Sequence, residues 1–229
     1  MKIWHIGDTH TYHDLLTIPE NIDMVIFSGD CSNPRDPYHN EPQVREFIDW
    51  FGALPIPHKV FIAGNHDTSI ERGFVTKTDF DVADIHYLEN THITIEGLKI
   101  FGSPITPSFG TGWAFNKARF KLDRFWTKAI DVDTDIIVTH GPPMGILDAS
   151  YDRANNLEFC GDKSLLAICI VMQPKLVLFG HIHNNKEIIN AGTRTIPGMD
   201  TVFSNGSVVT DRKFGELSSN GNIITLNIS

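Results

Sequence analysis

Four short stretches of this 229-residue chain share one grammar, and it restricts the fold more than any other feature. DMVIFSGD (23–30), HKVFIAGNHD (58–67), TDIIVTHGPP (134–143) and PKLVLFGHIH (174–183) each carry a β-branched, apolar run that stops at a glycine or small polar residue. Uninterrupted apolar runs of about five residues mark strands buried on both faces, as in parallel sheets covered by other layers. A shorter version, IWHIGDTH (3–10), opens the chain. Between these runs, EPQVREFIDWFGAL (41–54) puts Val44, Phe47, Ile48 and Phe51 on one helical face, with Pro42 near its start and Gly52 near its end. Helical patterning also covers 114–130 and 162–173, whereas 186–197, 200–209 and 220–229 read as strands with tight turns. Strand–helix alternation followed by strand-rich sequence predicts an α/β sandwich with helices on its outer faces. With no repeat or linker to divide it, the chain reads as a single domain over 1–229.

The formal net charge is −9. That balance argues against a long nucleic-acid duplex as partner, because affinity for one comes from Lys and Arg neutralising phosphates. A small anion fits if local cations offset the global charge, and metal ions are the strongest local cations. No segment has the apolar length that spans a bilayer, so no membrane partner is expected. The run from Ile3 to Ile6 is broken by His5 and is too short for a secretory leader. Cys31, Cys160 and Cys169 have no CxxC spacing and suit a reducing, cytoplasmic setting. The sequence does not specify an oligomeric state.

The polar residues that follow the apolar runs stand out as a set: Asp8, His10, Asp30, Asn65, His66, His140, His181 and His183. Ligands of open α/β sheets bind outside the carboxyl ends of strands, where these residues fall. On an extended strand Asp8 and His10, two apart, point the same way, and His5 points the other. Turns alone have no reason to recruit histidine at separate strand ends. Imidazole and carboxylate together favour Mn, Fe, Zn or Co over Ca or Mg. Seven such residues are too many for one tetrahedral ion and suit two adjacent ones, the arrangement that clamps phosphorus during in-line displacement.

The series GDTH, SGD, AGNHD, THGPP and FGHIH resembles the calcineurin-like metallophosphoesterase family, whose motifs run DxH, GD, GNH(D/E), H and GHxH. Stretches such as EFIDWFGALP, IFGSPITPSFGTGWAFN, TDIIVTHGPPMGILD and VFSNGS bring it nearest to the metallophosphoesterase-domain-containing (MPPED) subgroup. The resemblance implies a metallophosphoesterase-type β-sandwich of two mixed sheets flanked by α-helices. It implies two divalent or trivalent transition-metal ions, one held by Asp8, His10, Asp30 and His183. The other would be held by Asp30, Asn65, His140 and His181, with Asp30 as the bridge. His66, outside that ligand set, can give a proton to the leaving alkoxide, and a hydroxide bridging the ions would be the nucleophile.

The activity so implied is hydrolysis of a small phosphate ester, with cyclic nucleotides, including the 2′,3′-cyclic class, as candidate substrates. A phosphomonoesterase, a nuclease or a non-catalytic interaction scaffold are the alternatives. Relatives carry an acid three residues after the bridging aspartate; here Asn33 stands there, so Asn33, Asp36 or Asp67 is left to orient His66. In GTGWAFNKAR (110–119), Trp113 and Phe115 either stack on a base or pack into the core. Phe115, Asn116 and Arg153 are the candidate substrate contacts. His5 and His13 read as structural, and His39, His58, His86 and His92 as surface residues.

Overall fold

The apolar runs form the centres of two mixed sheets in a computed structural model that describes residues 1–185, 187–211 and 216–227. The first half of the chain contributes β1 (Lys2–Ile6), β2 (Met24–Ser28), β3 (His58–Ile62), β4 (His86–Tyr87), β5 (Thr91–Ile95), β6 (Leu98–Ser103), β7 (Thr106–Pro107) and β8 (Asn116–Lys117). The second half adds β9 (Ile136–Thr139), β10 (Ala149–Tyr151), β11 (Leu157–Phe159), β12 (Leu176–Phe179), β13 (Gly192–Arg194), β14 (Val202–Asn205) and β15 (Asn222–Thr225). The helices are α1 (Pro37–Gly52), α2 (Thr68–Glu71), α3 (Lys77–Val82), α4 (Leu122–Ala129) and α5 (Lys163–Met172). One sheet has the order β15-β1-β2-β3-β4, parallel from β1 to β4 with β15 antiparallel at the edge. The other runs β13-β14-β12-β9-β6-β5, with antiparallel β13 and β5 flanking four parallel strands.

Alternation along the strands builds three apolar layers. Ile3, Met24, Ile26 and Val60 of the first sheet face Ile100, Ile136, Val138 and Leu178 of the second, an aliphatic filling between the sheets. The opposite faces carry the aromatic residues. Phe27 packs on Phe47 of α1 at 4.4 Å between ring centroids, and Phe101 meets Trp126 of α4 at 6.5 Å. Helices therefore cover both outer faces, as the sequence pattern predicts. Among the described residues no helix is long and apolar enough to cross a membrane.

Three element boundaries differ from the sequence reading. Helix α1 begins at Pro37, so Pro42 lies inside it; Pro37 occupies the first turn, where a missing N–H costs nothing. Of the helix expected over 114–130, only Leu122–Ala129 is α-helical. Upstream, β8 pairs with β7 and Phe115 takes a positive φ of 53°, so tertiary pairing overrides the local helical pattern. Of the strand expected over 186–197, only Gly192–Arg194 forms one. Residues 186, 228 and 229 of the expected strands lie outside the described residues.

Candidate metal centre

Strands of both sheets end at one place. β1 leads to Asp8 and His10, β2 to Asp30, β3 to Asn65 and His66, β9 to His140, and β12 to His181 and His183. The approach depends on the backbone. Strand β1 stops at Ile6, and Asp8, His10, Asp30 and His181 all have positive φ (50°, 45°, 61° and 70°). Strand alternation therefore does not aim Asp8 and His10; left-handed turns beyond the strand do. Non-glycine residues in this region are uncommon and concentrate where surrounding contacts over-determine a functional geometry. Glycines permit the close approach: a β-carbon at Gly64 would collide with the Asp30 carboxylate, and one at Gly180 with that of Asp8.

The donor atoms fall into two neighbouring groups. Asp8, His10 and His183 offer donors within 4.8 Å of one another, as do Asp30, His140 and His181. Asp8 Oδ1 is 3.3 Å from His183 Nε2, Asp30 Oδ2 is 3.2 Å from His140 Nε2, and Asn65 Oδ1 is 3.0 Å from the same His140 nitrogen. Asp30 Oδ2 also lies 3.9 Å from His10 Nε2, which ties the groups together through one carboxylate. Ligand bonds near 2.1 Å place neighbouring donors of one ion about 3.0–3.5 Å apart; the Asp8–His183, Asp30–His140 and Asn65–His140 separations match, and the Asp30–His10 one is longer. His66 also joins His10 and Asp30 within 4.8 Å.

Backbone acceptors fix the imidazoles. His140 Nδ1 lies 2.8 Å from the Ser28 carbonyl and His10 Nδ1 3.1 Å from that of Ser32. A carbonyl only accepts, so the proton sits on Nδ1 and Nε2 faces the donor cluster. Asp8 accepts from the His181 N–H at 2.9 Å and from the Ser207 hydroxyl at 2.6 Å. Asp67 organises the turn beneath, accepting from the N–H groups of Asp30 (3.0 Å), Cys31 (3.1 Å) and Gly64 (2.8 Å).

The electrostatics call for cations. Burial opposes the charge of Asp8, yet His183 holds its carboxyl down at about 2; Asp30 is likewise held well below the usual range by His140 and His66 against its burial. Burial favours a neutral ring at His183, but Asp211 and Asp8 push it up to about 10, and Asp30 pushes the buried His140 up to about 9. Burial lowers His10 to about 4 and His181 to about 3. Among the described residues no Lys or Arg pairs with Asp8 or Asp30, so protein groups alone balance these carboxylates with imidazolium. Two buried carboxylates amid four imidazoles and an amide form a donor set of the right chemistry for transition-metal ions.

The other predicted contacts separate. Phe115 is buried in the hydrophobic core, so it is no stacking surface, and this corrects the sequence reading. Asn116 spends its amide on Thr106 Oγ1 and the Ala114 carbonyl. Arg153 lies exposed in the turn between β10 and β11. The rings that do border the centre are Trp113, 4.6 Å from His66 and with the Arg35 guanidinium 3.7 Å from its centroid, and Phe109, 5.0 Å from His181. Arg35 went unnoticed in the sequence; its signal is its place in NPRD, directly after the Asp30 turn. Asp36 pairs with His39, away from the orienting role considered for it. His5 is buried and hydrogen-bonded to Ser204 Oγ (2.8 Å) and Ser28 Oγ (3.1 Å), a polar link between the two sheets.

Comparison with known proteins agrees with this geometry. The Calcineurin-like phosphoesterase family profile matches residues 1–185. Metallophosphoesterase domain-containing protein 1 of Homo sapiens is 31% identical over 230 residues, spanning 90% of this chain and 65% of its own length. The UPF0046 protein K07C11.7 of Caenorhabditis elegans is 28% identical, over 85% of this chain and 68% of its own. The chain thus spans about two thirds of the length of these two relatives. Among solved structures, phosphopantetheinyl hydrolase of Mycobacterium tuberculosis superposes with a TM-score of 0.57 at 14% identity, covering 92% of this chain and 90% of its own; that likeness is one of fold.

Proposed function

This chain belongs to the calcineurin-like phosphoesterase family, and on that premise we propose that it is a dinuclear metal-dependent hydrolase of small phosphate diesters, cyclic nucleotides among them. The observation that carries the reading is the position of Asp30, whose carboxylate lies 3.2 Å from His140 and 3.9 Å from His10, between the two donor groups. Asp8, His10, Asp30 and His183 would hold one ion; Asp30, Asn65, His140 and His181 would hold the other. Bound ions of the Mn, Fe, Zn or Co type supply Lewis-acid polarisation of the phosphoryl group and a water acidic enough to attack phosphorus near neutral pH.

The protein's own part is proton transfer and orientation. His66 gives a proton to the departing alkoxide, and the Asn33 carbonyl at 2.9 Å from its Nδ1 leaves Nε2 as the atom that exchanges it. Trp113 beside His66 is an apolar wall for a base or sugar, which favours a nucleotide ester over a bare phosphate. The three free cysteines support a reducing, cytoplasmic setting.

The test is hydrolysis of bis-p-nitrophenyl phosphate, p-nitrophenyl phosphate and a panel of 2′,3′- and 3′,5′-cyclic nucleotides, with each metal supplied in turn. Turnover of a diester with bound metal near two per chain is the expected result. A protein inert in every combination would overturn the reading, and a preference for the monoester would favour the phosphomonoesterase alternative.

A further inference from the structure

Away from the metal centre, α4 turns a basic and aromatic face to solvent. Leu122 and Trp126 bury its inner face. Lys121, Arg124, Phe125 and Lys128 fall at i, i+3, i+4 and i+7, so they share another face. With Lys117 and Phe120 they line a cavity of about 720 Å³ to which no acidic side chain contributes. Among the described residues none of these four cations is in an ion pair, whereas Arg45, Lys77, Lys99 and Lys175 all are. Instead Lys117 Nζ lies 4.8 Å from the Phe125 ring and Lys121 Nζ 5.7 Å from that of Phe120. In a chain of net charge −9, this concentration of uncompensated positive charge is local and one-sided.

A second cavity of about 390 Å³ has His181 of the metal centre on its wall. Pro107 on its rim pairs with Lys117 across β7 and β8, and Arg119 on its wall is two residues beyond Lys117. Two residues of chain span at most about 7 Å, so Lys117 of the first cavity and Arg119 of the second are close neighbours. Glu158 is the one acid of the second cavity. The exposed phenylalanines among the described residues, Phe109, Phe120 and Phe159, all lie on these two cavities.

We propose that the two cavities form a track for short single-stranded oligonucleotides. Lys117, Lys121, Arg124 and Lys128 follow the phosphates, Phe120 and Phe109 take the bases, and the track leads one diester to the metal centre. The last step rests on the hydrolase reading above; the binding does not. Cations interleaved with exposed rings are what unpaired strands require, since every base offers a face to stack and every nucleotide a charge. A duplex hides those faces.

The test is anisotropy of a fluorescein-labelled octathymidylate with the full chain, EDTA being present to prevent cleavage. Binding should fall with salt at a slope of about −3 in log–log form, for four single-strand phosphate contacts. K121E/R124E should weaken it at least about tenfold. Phe120→Ala should weaken it about fivefold or more, while heparin, which has charge but no bases, binds that variant as before. The charge-matched K77E/K175E control should retain affinity. No octamer binding by the unsubstituted chain, equal affinity in K121E/R124E, or binding of phosphatidylserine vesicles that the octamer fails to displace would overturn the proposal. Octamer binding is read without turnover, whereas the hydrolase reading stands on bis-p-nitrophenyl phosphate, so the two fail separately.

Discussion

The Nδ1 atom of His66 lies 2.9 Å from the backbone carbonyl oxygen of Asn33. A main-chain acceptor orients this ring, so the side chain at position 33 is released for other work. It donates to the His10 carbonyl at 2.9 Å, tying the turn after β2 to the turn after β1.

That division of labour separates two variants. Asn33→Ala should leave turnover within about threefold, since the carbonyl remains and only a hydrogen bond worth about 1 kcal/mol is lost. His66→Ala should lose about 10²–10⁴-fold on diesters with alkyl leaving groups and much less on p-nitrophenyl esters, with metal content unchanged. Equal losses on both leaving groups would remove His66 from the proton-transfer role.

Asp30 lies between the two donor groups, its carboxylate within 4.8 Å of His10 on one side and of His140 and His181 on the other. Asp30→Asn should therefore reduce bound metal at both positions, whereas His183→Ala should reduce it at one. Metal analysis by mass spectrometry after gel filtration reads the difference. Two ions retained by Asp30→Asn would contradict a bridging role.

Metal uptake should be coupled to protons. His183 and His140 are pushed up to about 10 and 9, so at pH 7 both carry protons that an incoming ion must displace. Affinity should rise with pH toward 9, with about two protons released per chain, as read by calorimetry in buffers of different ionisation enthalpy. In the metal-free chain the same raised values stabilise the fold fully below about 6.5 and are lost as pH climbs through 9 and 10.

His5 works in the opposite sense. Burial lowers it to about 3 against a pull upward from Asp8, so the unfolded chain binds its proton first as pH falls. Its contribution is intact above about 6.5 and is lost progressively as pH drops toward 3. Urea midpoints at pH 7 and pH 5 should draw closer together in His5→Gln than in the unsubstituted chain.

Trp113 and Phe115 are neighbours with different consequences. Trp113→Ala should raise KM for a cyclic nucleotide about fivefold or more with kcat little changed, as expected for a stacking wall. Phe115→Ala should instead cost about 3–5 kcal/mol of stability, because its ring fills the core. Thermal unfolding beside steady-state kinetics distinguishes the two.

Much of this arrangement is legible in order along the chain. The apolar runs that became β2, β3, β9 and β12, the helix around Phe47 and Phe51, and the eight polar residues beyond the strands are all properties of short windows. Periodicity and residue chemistry are local, so a sequence displays them directly. The family motifs belong to the same class of information.

What the sequence by itself determined is therefore the kind of layers this chain builds and the inventory of donors at their edge. Only the tertiary structure decided how those donors meet. The positive φ of Asp8, His10, Asp30 and His181, the Asn33 carbonyl under His66, the burial of Phe115 and the Arg35–Trp113 contact each join or strain segments far apart in the chain. Contacts between distant segments set a backbone angle or a ring's direction there, and local preference is too weak to oppose them.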